Sequence, residues 1–178
     1  MRSYRLMFAS GLDSVGLVHS LSRFVYEHHC NVADSRMAVL GGQFSAMMLI
    51  GGSEADVSRL EHDLSAFQVE TGLAAMIADA AQPGAGREAP ALPVRLEVVA
   101  MDAPGILVQL SERLDQLGVN IDALDARLTE APSSSTTISS VKLRLSVPKH
   151  IPLQQVKDEL NKLAVRINLD IAFHPFQE

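Results

Sequence analysis

The residues Asp13-Ser-Val-Gly16-Leu-Val18 recur as Asp102-Ala-Pro-Gly105-Ile-Leu107, 89 positions further along the chain (102 minus 13). Three more pairs keep this spacing without a gap, namely Leu21 and Leu110, Asn31 and Asn120, and Val32 and Ile121. A sequence that repeats itself in register is built from two copies of one structural unit. The chain is therefore predicted to fold as two similar domains in tandem.

The segment between the two copies is rich in Pro, Gly and Ala. Proline lacks a backbone N–H and glycine has no side chain to pack, so such a segment does not favour a helix or a central strand. We predict a first domain over residues 1–80, a linker over 81–92 and a second domain over 93–178. Each domain has fewer than about 90 residues, near the lower end of the size that folds independently.

The first copy begins with a strand in which Tyr4, Leu6 and Phe8 alternate with other residues, and its hydrophobic period changes to that of a helix after Asp13. Two further strands are predicted at 31–40 and 43–50, joined by a glycine pair that suits a tight hairpin. A capping box at 53–56 starts a second helix. A final strand is predicted at 73–77.

The second copy repeats this order, with strands predicted at 94–98, 121–128, 138–147 and 167–173, and with Pro152 at the first position of its second helix. The low-complexity segment 130–140 is predicted to be a mobile loop. The order βαββαβ, present twice, predicts an α+β protein made of two ferredoxin-like domains. Each would have an antiparallel sheet with both helices on one face.

Composition limits the possible classes of function. The chain has 178 residues, is 47% hydrophobic and carries a formal net charge of -6, which argues against disorder and against direct binding of nucleic acid. The single cysteine, Cys30, cannot form an internal disulfide and favours a cytoplasmic protein. The longest uncharged run, 37–53, is too short and too polar to span a bilayer, so no membrane segment is predicted.

The two Asp-x-x-Gly turns are the candidate binding sites. The N–H groups in the first turn of the helix that follows Gly16 or Gly105 form an anion site that suits a carboxylate. The Asp13 and Asp102 carboxylates can either cap these N–H groups or accept from the ammonium group of the same ligand. The pattern suits a free amino acid better than a nucleotide, although it is also typical of purely structural turns.

An asparagine follows each turn at the same distance. Asn31 and Asn120 stand at the start of the next predicted strand, and their side-chain oxygens are further acceptors for an ammonium group. The repetition of Asp, Gly and Asn at one spacing favours a binding function over a structural one.

These residues resemble a known family. The segments 11–18, 30–41 and 44–49 are similar to the first ACT domain of the glycine cleavage system transcriptional repressor family, and the second copy is similar to an ACT domain as well. The resemblance implies ferredoxin-like domains that pair side by side and bind small effectors, commonly amino acids, at interfaces near the Asp-x-x-Gly turn. It also implies a regulator without its own DNA-binding domain, which contacts a transcriptional activator with glycine as the signal.

The resemblance assigns nine effector-binding residues in this chain. They are Asp13, Ser14, Gly16, Leu17 and Asn31 in the first domain, and Asp102, Gly105, Ile106 and Asn120 in the second. Leu17 and Ile106 would contribute only their main-chain N–H groups. A homodimer is expected, with no cofactor other than an amino-acid effector.

Catalytic and metal-binding functions have little support in the sequence. It contains no phosphate-binding loop, hydrolase elbow or zincin motif. His28-His29-Cys30 lacks a second ligand pair at zinc-site spacing, and we interpret Cys30 as a core residue. The predicted function is a non-catalytic regulatory protein. A stand-alone ACT regulatory subunit of an amino-acid metabolic enzyme and a purely structural interaction module remain as alternatives.

Overall fold

A computed structural model describes residues 2–85, 90–130 and 137–175. The chain divides into two compact units, Met1–Arg87 and Glu88–Glu178. None of the helices in these described ranges is long and apolar enough to cross a membrane.

The first unit is one antiparallel sheet with two helices. Its elements are β1 (Ser3–Leu12), α1 (Leu17–Glu27), β2 (Asn31–Leu40), β3 (Gln43–Gly52), α2 (Glu54–Thr71) and β4 (Ala74–Ala80). The strand order is β2-β3-β1-β4. Gly41 and Gly42 both have positive φ, 57° and 77°, which the hairpin between β2 and β3 requires.

The second unit repeats the first. Its elements are β5 (Ala91–Met101), α3 (Ile106–Gln116), β6 (Asn120–Glu130), β7 (Thr137–Pro148), α4 (Leu153–Ile167) and β8 (Asp170–Pro175). The strand order is β6-β7-β5-β8, again antiparallel. The predicted βαββαβ order and the ferredoxin-like fold class are therefore confirmed in both copies.

Each unit has its own hydrophobic core between its sheet and its helices. Because side chains alternate along a strand, every second residue of the central strands contributes to it. The largest fully buried side chains are Met7, Leu21, Met48, Ile50 and Leu60 in the first core, and Leu96, Leu110, Leu114, Leu143, Leu145 and Leu160 in the second. Cys30 is buried in the first core, which confirms its interpretation as a core residue.

Several predicted boundaries differ from the structure. β5 begins at Ala91, so it includes the last two residues of the predicted linker 81–92. In the described residues, the pairing of β5 with β8 begins at Val94, and Pro93 is in register with Ser146 of β7. The last strand was predicted at 167–173, but Ile167 ends α4 and β8 spans Asp170–Pro175. Pro152 precedes the first helical residue of α4 instead of occupying it.

The predicted loop 130–140 is shorter than expected. Glu130 belongs to β6, and 137–140 belong to β7, in which residues 138–140 pair with both neighbouring strands. Residues 131–136 lie outside the described part of the chain.

In each unit both helices cover one face of the sheet, and the opposite face is called the helix-free face. The helix-free faces of the two sheets carry different types of side chain. In the first sheet this face carries apolar side chains on neighbouring strands, namely Leu6, Phe8, Met47 and Leu49. At the corresponding positions of the second sheet, the side chains are Arg95, Glu97, Lys142 and Arg144. The two copies share a fold, but they present different surfaces to any partner.

Candidate functional site

The two Asp-x-x-Gly turns have the same backbone geometry. Gly16 has φ 99° and Gly105 has φ 93°, a left-handed conformation that strains any residue with a Cβ. The N–H of Asp13 donates to the carbonyl of Gly42 at 3.0 Å, and the N–H of Asp102 donates to the carbonyl of Thr137 at 2.9 Å. The first turn is thereby fixed to the hairpin between β2 and β3, and the second turn to the first residue of β7.

The aspartates do not cap the helices. The residues that precede α1 and α3 are Gly16 and Gly105, and neither helix has a side-chain cap. This corrects the prediction that Asp13 and Asp102 could satisfy those N–H groups. Both aspartates are exposed, and within the described ranges their carboxylates accept no hydrogen bond.

Because no side chain caps them, the N–H groups in the first turn of α1 and α3 have no partner in the helix. They are therefore available to an anion. Leu17 and Ile106 have buried side chains, so they can offer a ligand only their main chain, as predicted. Ser14 is exposed in the first turn, beside Asp13.

The predicted asparagines lie far from the turns of their own domains. In the first domain Asn31 is in register with Gly51, and Gly51 is in register with Tyr4 of β1. Asp13 follows the other end of β1. With about 3.3 Å per residue along a strand, the two sites are separated by about 25–30 Å.

The second domain shows the same separation. Asn120 is in register with Ser146 and, across β7, with Pro93, whereas Asp102 follows the opposite end of β5. Asn120 instead donates from Nδ2 to Asp122 Oδ1 at 2.8 Å, and the Ser146 hydroxyl donates to Asp122 Oδ2 at 2.7 Å. The expected grouping of Asp, Gly and Asn within one domain is therefore not formed.

The second turn borders a cavity of about 300 Å³. Three predicted residues, Asp102, Gly105 and Ile106, line it together. Residues that the sequence analysis did not single out complete the lining, namely Ala103, Leu107, Val108, Ala126, Arg127, Leu128 and Ser139. The cavity thus combines the first turn of α3 and a carboxylate with largely apolar walls.

Ser139 and Arg127 are the polar lining residues that the sequence did not indicate, and Ser139 is the buried one. It is in register with Ala100 of β5 and Leu128 of β6. The matching residues of the first domain are Gly11 and Val39, each 89 positions earlier, and both are in register with Phe44. Phe44 and Ser139 are 95 positions apart, so the spacing of 89 that relates the earlier elements of the two copies does not relate β3 to β7. An alignment of the two copies with a six-residue insertion before β7 would have matched Phe44 with Ser139.

In the part of the chain that the structure describes, the His28-His29-Cys30 segment belongs to no group of metal-ligating side chains. Burial raises the pKa of the Cys30 thiol, which favours its protonated form. His28 Nδ1 lies 2.7 Å from the carbonyl oxygen of Phe24, and Nε2 lies 3.1 Å from Asp63 Oδ2. Across the described residues, no group of three or more His, Cys, Asp or Glu side chains could hold a metal ion.

Comparisons with known proteins agree with this architecture. Residues 4–78 match the ACT domain family model. The chain is 25% identical over 167 residues to the glycine cleavage system transcriptional repressor of Escherichia coli K12, covering 93% of this chain and 86% of that protein. It is 37% identical over 65 residues to a UPF0237 protein of Methanopyrus kandleri, covering 35% of this chain and 72% of that protein.

A solved structure has the same fold over the full chain. An unknown protein from Galdieria sulphuraria superposes with a TM-score of 0.80 and 24% identity, covering 99% of this chain and all of that one.

Proposed function

This chain belongs to the ACT-domain family, and on that premise we propose that it is a non-catalytic regulatory protein that senses a small amino acid. We favour glycine as the effector and a transcriptional regulator as the protein that receives the signal. The proposal requires that ligand affinity differ between the states that can and cannot contact the partner.

The observation that carries the proposal is the twofold occurrence of one turn. In each copy, an exposed aspartate and an uncapped helix N-terminus stand within a few residues of each other. Opposite charges at this separation suit a zwitterion, whose carboxylate binds the N–H groups and whose ammonium binds the aspartate. A nucleotide would bring further negative charge toward the aspartate.

The similarity to the Escherichia coli protein supports a role in transcriptional regulation. It extends over 93% of this chain, so it includes both domains and is not confined to a shared ACT module. Because that relative is named as a transcriptional repressor of the glycine cleavage system, we propose glycine as the first ligand to test. The formal net charge of -6 favours a protein partner over direct contact with DNA.

We also propose that the protein is a cytoplasmic homodimer. The free, buried thiol of Cys30 suits a reducing compartment. Met47 and Met76 lie on the helix-free face of the first sheet, 41% and 59% exposed, beside Phe8. An apolar face of this kind can bind its own copy in a twofold interface.

The regulatory proposal is tested by affinity purification of the full chain from its native cells, with and without 10 mM added glycine. A transcriptional regulator whose recovery changes with glycine supports it. Specific recovery of an amino-acid biosynthetic enzyme would favour the alternative of a metabolic regulatory subunit. The absence of any glycine-dependent partner, together with a thermal midpoint that no amino acid changes, would favour a structural interaction module.

The homodimer is tested separately by light scattering coupled to size exclusion. Met47→Lys with Met76→Glu should lower the measured mass from two chains to one. Glu97→Gln with Lys142→Gln changes the corresponding face of the second sheet and serves as the matched control. A wild-type protein that elutes with the mass of one chain contradicts this part of the proposal.

A further inference from the structure

We propose that Arg95 and Arg144, on the helix-free face of the second sheet, form a docking site for an acidic segment of a partner protein. The inference rests on the proposed regulatory function and specifies the chemistry by which the partner is recognised. The site shares no lining residue with the cavity beside Asp102. It is therefore separate from the turn that the effector is proposed to use.

The two arginines stand directly opposite each other on neighbouring strands. Arg95 of β5 is in register with Arg144 of β7. Directly opposite side chains of an antiparallel pair lie on the same face of the sheet, with Cβ atoms about 4.5–5.5 Å apart, and like charges at this distance destabilise the sheet. An anion bound by both guanidinium groups would remove the repulsion.

The row of residues that contains the two arginines has no carboxylate. Across the sheet, Ala123 of β6 is in register with Arg144, and His174 of β8 is in register with Arg95. In the described residues, neither guanidinium forms an ion pair or a hydrogen bond. Five other arginines each pair with a carboxylate, namely Arg5, Arg23, Arg36, Arg59 and Arg113. Arg95 and Arg144 are thus free to bind an anion from outside.

The next row along the strands compensates its own charge. Lys142 is in register with Glu97 on one side and with Asp125 on the other. Its Nζ lies 3.8 Å from Glu97 Oε1, and His174 Nε2 lies 3.8 Å from Glu97 Oε2. The Glu97 carboxylate therefore pairs with Lys142 and does not neutralise Arg95.

These charged groups border one surface cleft of about 310 Å³. Both arginines and Lys142 line it, together with the Glu97 and Asp125 carboxylates. A guanidinium group can bind a carboxylate through two parallel N–H···O hydrogen bonds, which gives geometric selectivity in addition to charge. The cleft offers three cations to acidic side chains and two carboxylates to the main-chain N–H groups of the same segment.

The mixture of charges favours a protein segment over a nucleic acid. Glu97 and Asp125 lie two residues from the arginines, about 7 Å along the strands. A nucleic acid carries a phosphate at every nucleotide, so these carboxylates would repel the phosphates next to the bound one. In a peptide, neutral main chain separates the acidic side chains, and its N–H groups can donate to Glu97 and Asp125.

The first domain shows that the fold does not need the arginine pair. Leu6 and Leu49 hold the corresponding positions and are in register with each other. An apolar pair at this place is compatible with the same strand order and register. The cost of two opposite arginines in the second domain is therefore not explained by folding, and binding of an anionic partner explains it.

The experiment measures binding of a dye-labelled hexaglutamate peptide to the full chain by fluorescence anisotropy, at about 50 mM NaCl so that screening is weak. Wild type should bind the peptide. Arg95→Gln with Arg144→Gln should weaken binding at least about tenfold, because charge-assisted hydrogen bonds are lost.

Arg23→Gln with Arg166→Gln is the matched control. It removes the same charge from two exposed arginines on helices α1 and α4, and it should keep the affinity within about twofold of wild type. Equal weakening by the two double variants would show that net charge controls binding, and the inference would be wrong.

Competition distinguishes the classes of ligand. Unlabelled hexaglutamate should displace the labelled peptide at a concentration at least about tenfold lower than an oligothymidylate of six nucleotides, which has a similar charge. Tripolyphosphate at the same concentration as hexaglutamate should not displace it. Displacement by the oligonucleotide at an equal or lower concentration would assign this face to nucleic acid, and displacement by tripolyphosphate would assign it to small anions.

Thermal unfolding checks the cost of the arginine pair in the free protein. Arg95→Leu with Arg144→Leu copies the first domain and should raise the unfolding midpoint at low salt, with a smaller rise at 1 M NaCl. A midpoint below that of wild type would show that the arginines stabilise the fold, and would contradict the inference.

The outcomes separate this inference from the proposed function. If wild type does not bind hexaglutamate, or if the Arg95→Gln and Arg144→Gln variant recovers a glycine-dependent regulator as well as wild type does, the inference is wrong and the regulatory function stands. If wild type recovers no such regulator but binds hexaglutamate through the two arginines, the proposed function is wrong and the acidic docking site stands.

Discussion

His29 and Gly118 hold the same left-handed conformation at matching positions, with φ 56° and 66°. Each follows the first helix of its domain, and each N–H donates to a carbonyl three residues earlier, Tyr26 at 3.0 Å and Asp115 at 2.8 Å. The backbone requires this conformation at the end of the helix, and glycine adopts it without the steric cost that a Cβ imposes.

His29→Gly is therefore expected to stabilise the protein. The histidine is exposed, so its removal loses little packing while the strain of a left-handed residue is relieved. We expect the free energy of unfolding in urea to rise by up to about 1 kcal/mol. The control is His19→Gly, the same change within helix α1, which should lower the free energy of unfolding by about 0.5 kcal/mol, the difference between the helix propensities of histidine and glycine. A fall in stability for His29→Gly would contradict the interpretation.

Arg5 connects three elements of the first domain. Its Nε lies 2.5 Å from Glu61 Oε1 and 3.3 Å from Asp79 Oδ1, and its Nη2 lies 3.1 Å from Glu54 Oε1. The side chain is only 13% exposed. Arg5→Met would leave three carboxylates facing one another, and we expect a loss of about 1–3 kcal/mol in the free energy of unfolding.

Salt provides a second readout for this variant. Ions screen the repulsion among the carboxylates, and the Debye length falls as salt rises. The loss of unfolding free energy in Arg5→Met should therefore become smaller between 0.05 and 1 M NaCl. Arg36→Met removes an exposed ion pair with Asp34 and should change stability by less than about 0.5 kcal/mol. If Arg5→Met and Arg36→Met changed the free energy of unfolding equally, the ion pairs of Arg5 would contribute no more to stability than one exposed ion pair.

Gly52 packs directly against the Cys30 thiol. A Cβ added at Gly52 would lie 2.7 Å from Cys30 Sγ, closer than packed atoms tolerate. Gly52→Ala should therefore destabilise the protein by about 1–3 kcal/mol through overpacking. Cys30→Ala in the same chain should remove most of that penalty, and the double-mutant cycle measures the coupling. Additive effects of the two changes would exclude a direct contact as the cause.

The order of elements could be predicted because the spacing of apolar residues along the sequence distinguishes a strand from a helix, and this spacing does not depend on tertiary contacts. Tyr4, Leu6 and Phe8 alternate, and the period changes after Asp13, where the structure also ends β1 and starts α1. Ser53 caps α2 as expected, since its Oγ accepts from the N–H of Asp56 at 3.2 Å. These features are local, and local chemistry determines them.

The grouping of site residues depends on contacts that are remote in sequence. Asn31 follows Asp13 by 18 positions, but helix α1 carries the chain back along the sheet between them, so the two residues end far apart. The irregularities in β2 and β6, between Val32 and Asp34 and between Ile121 and Ala123, also occur at matching positions that no sequence pattern indicated.

The place of Ser139 in the cavity beside the second turn could not be read from the repeat. Its counterpart Phe44 is hidden by the six extra residues before β7, and strand register is what reveals the match.

Acid should weaken the start of α2. The Ser3 hydroxyl and Arg5 lower the pKa of Glu54, and the Ser53 hydroxyl, with a smaller effect of Arg59, lowers the pKa of Asp56. A carboxyl group whose pKa is lower in the folded state contributes stability above its unfolded pKa, and this stability is lost as the pH falls through the folded pKa. The unfolding free energy should therefore decrease below about pH 4, the ordinary range of these groups.

Glu54→Gln with Asp56→Asn tests this origin of the acid response. Urea unfolding between pH 2.5 and 6 should show a shallower decrease for this variant than for wild type. Asp170→Asn, which changes an exposed carboxyl of β8, is the control and should keep the wild-type slope. An unchanged slope in the double variant would assign the acid response to other groups.

Alanine substitutions at glycines with positive φ can distinguish a loss of stability from a loss of ligand binding. Gly16, Gly105 and Gly118 all have positive φ, 99°, 93° and 66°, and alanine at each should cost about 1 kcal/mol in the free energy of unfolding. Gly118 follows the end of α3 opposite to Gly105 and reports the effect of backbone strain alone. Strain at Gly105 additionally moves the N–H groups that begin α3, because Gly105 directly precedes that helix and its carbonyl accepts from the N–H of Gln109 at 3.0 Å.

Gly16→Ala and Gly105→Ala should therefore each weaken glycine binding at the turn of their own domain at least tenfold in calorimetric titration, whereas Gly118→Ala should keep the wild-type affinity at a similar loss of stability. Binding that falls in all three variants would mean that the response follows overall stability and not the geometry of one turn. Binding that falls in only one of Gly16→Ala and Gly105→Ala would place the ligand at the turn of that domain alone.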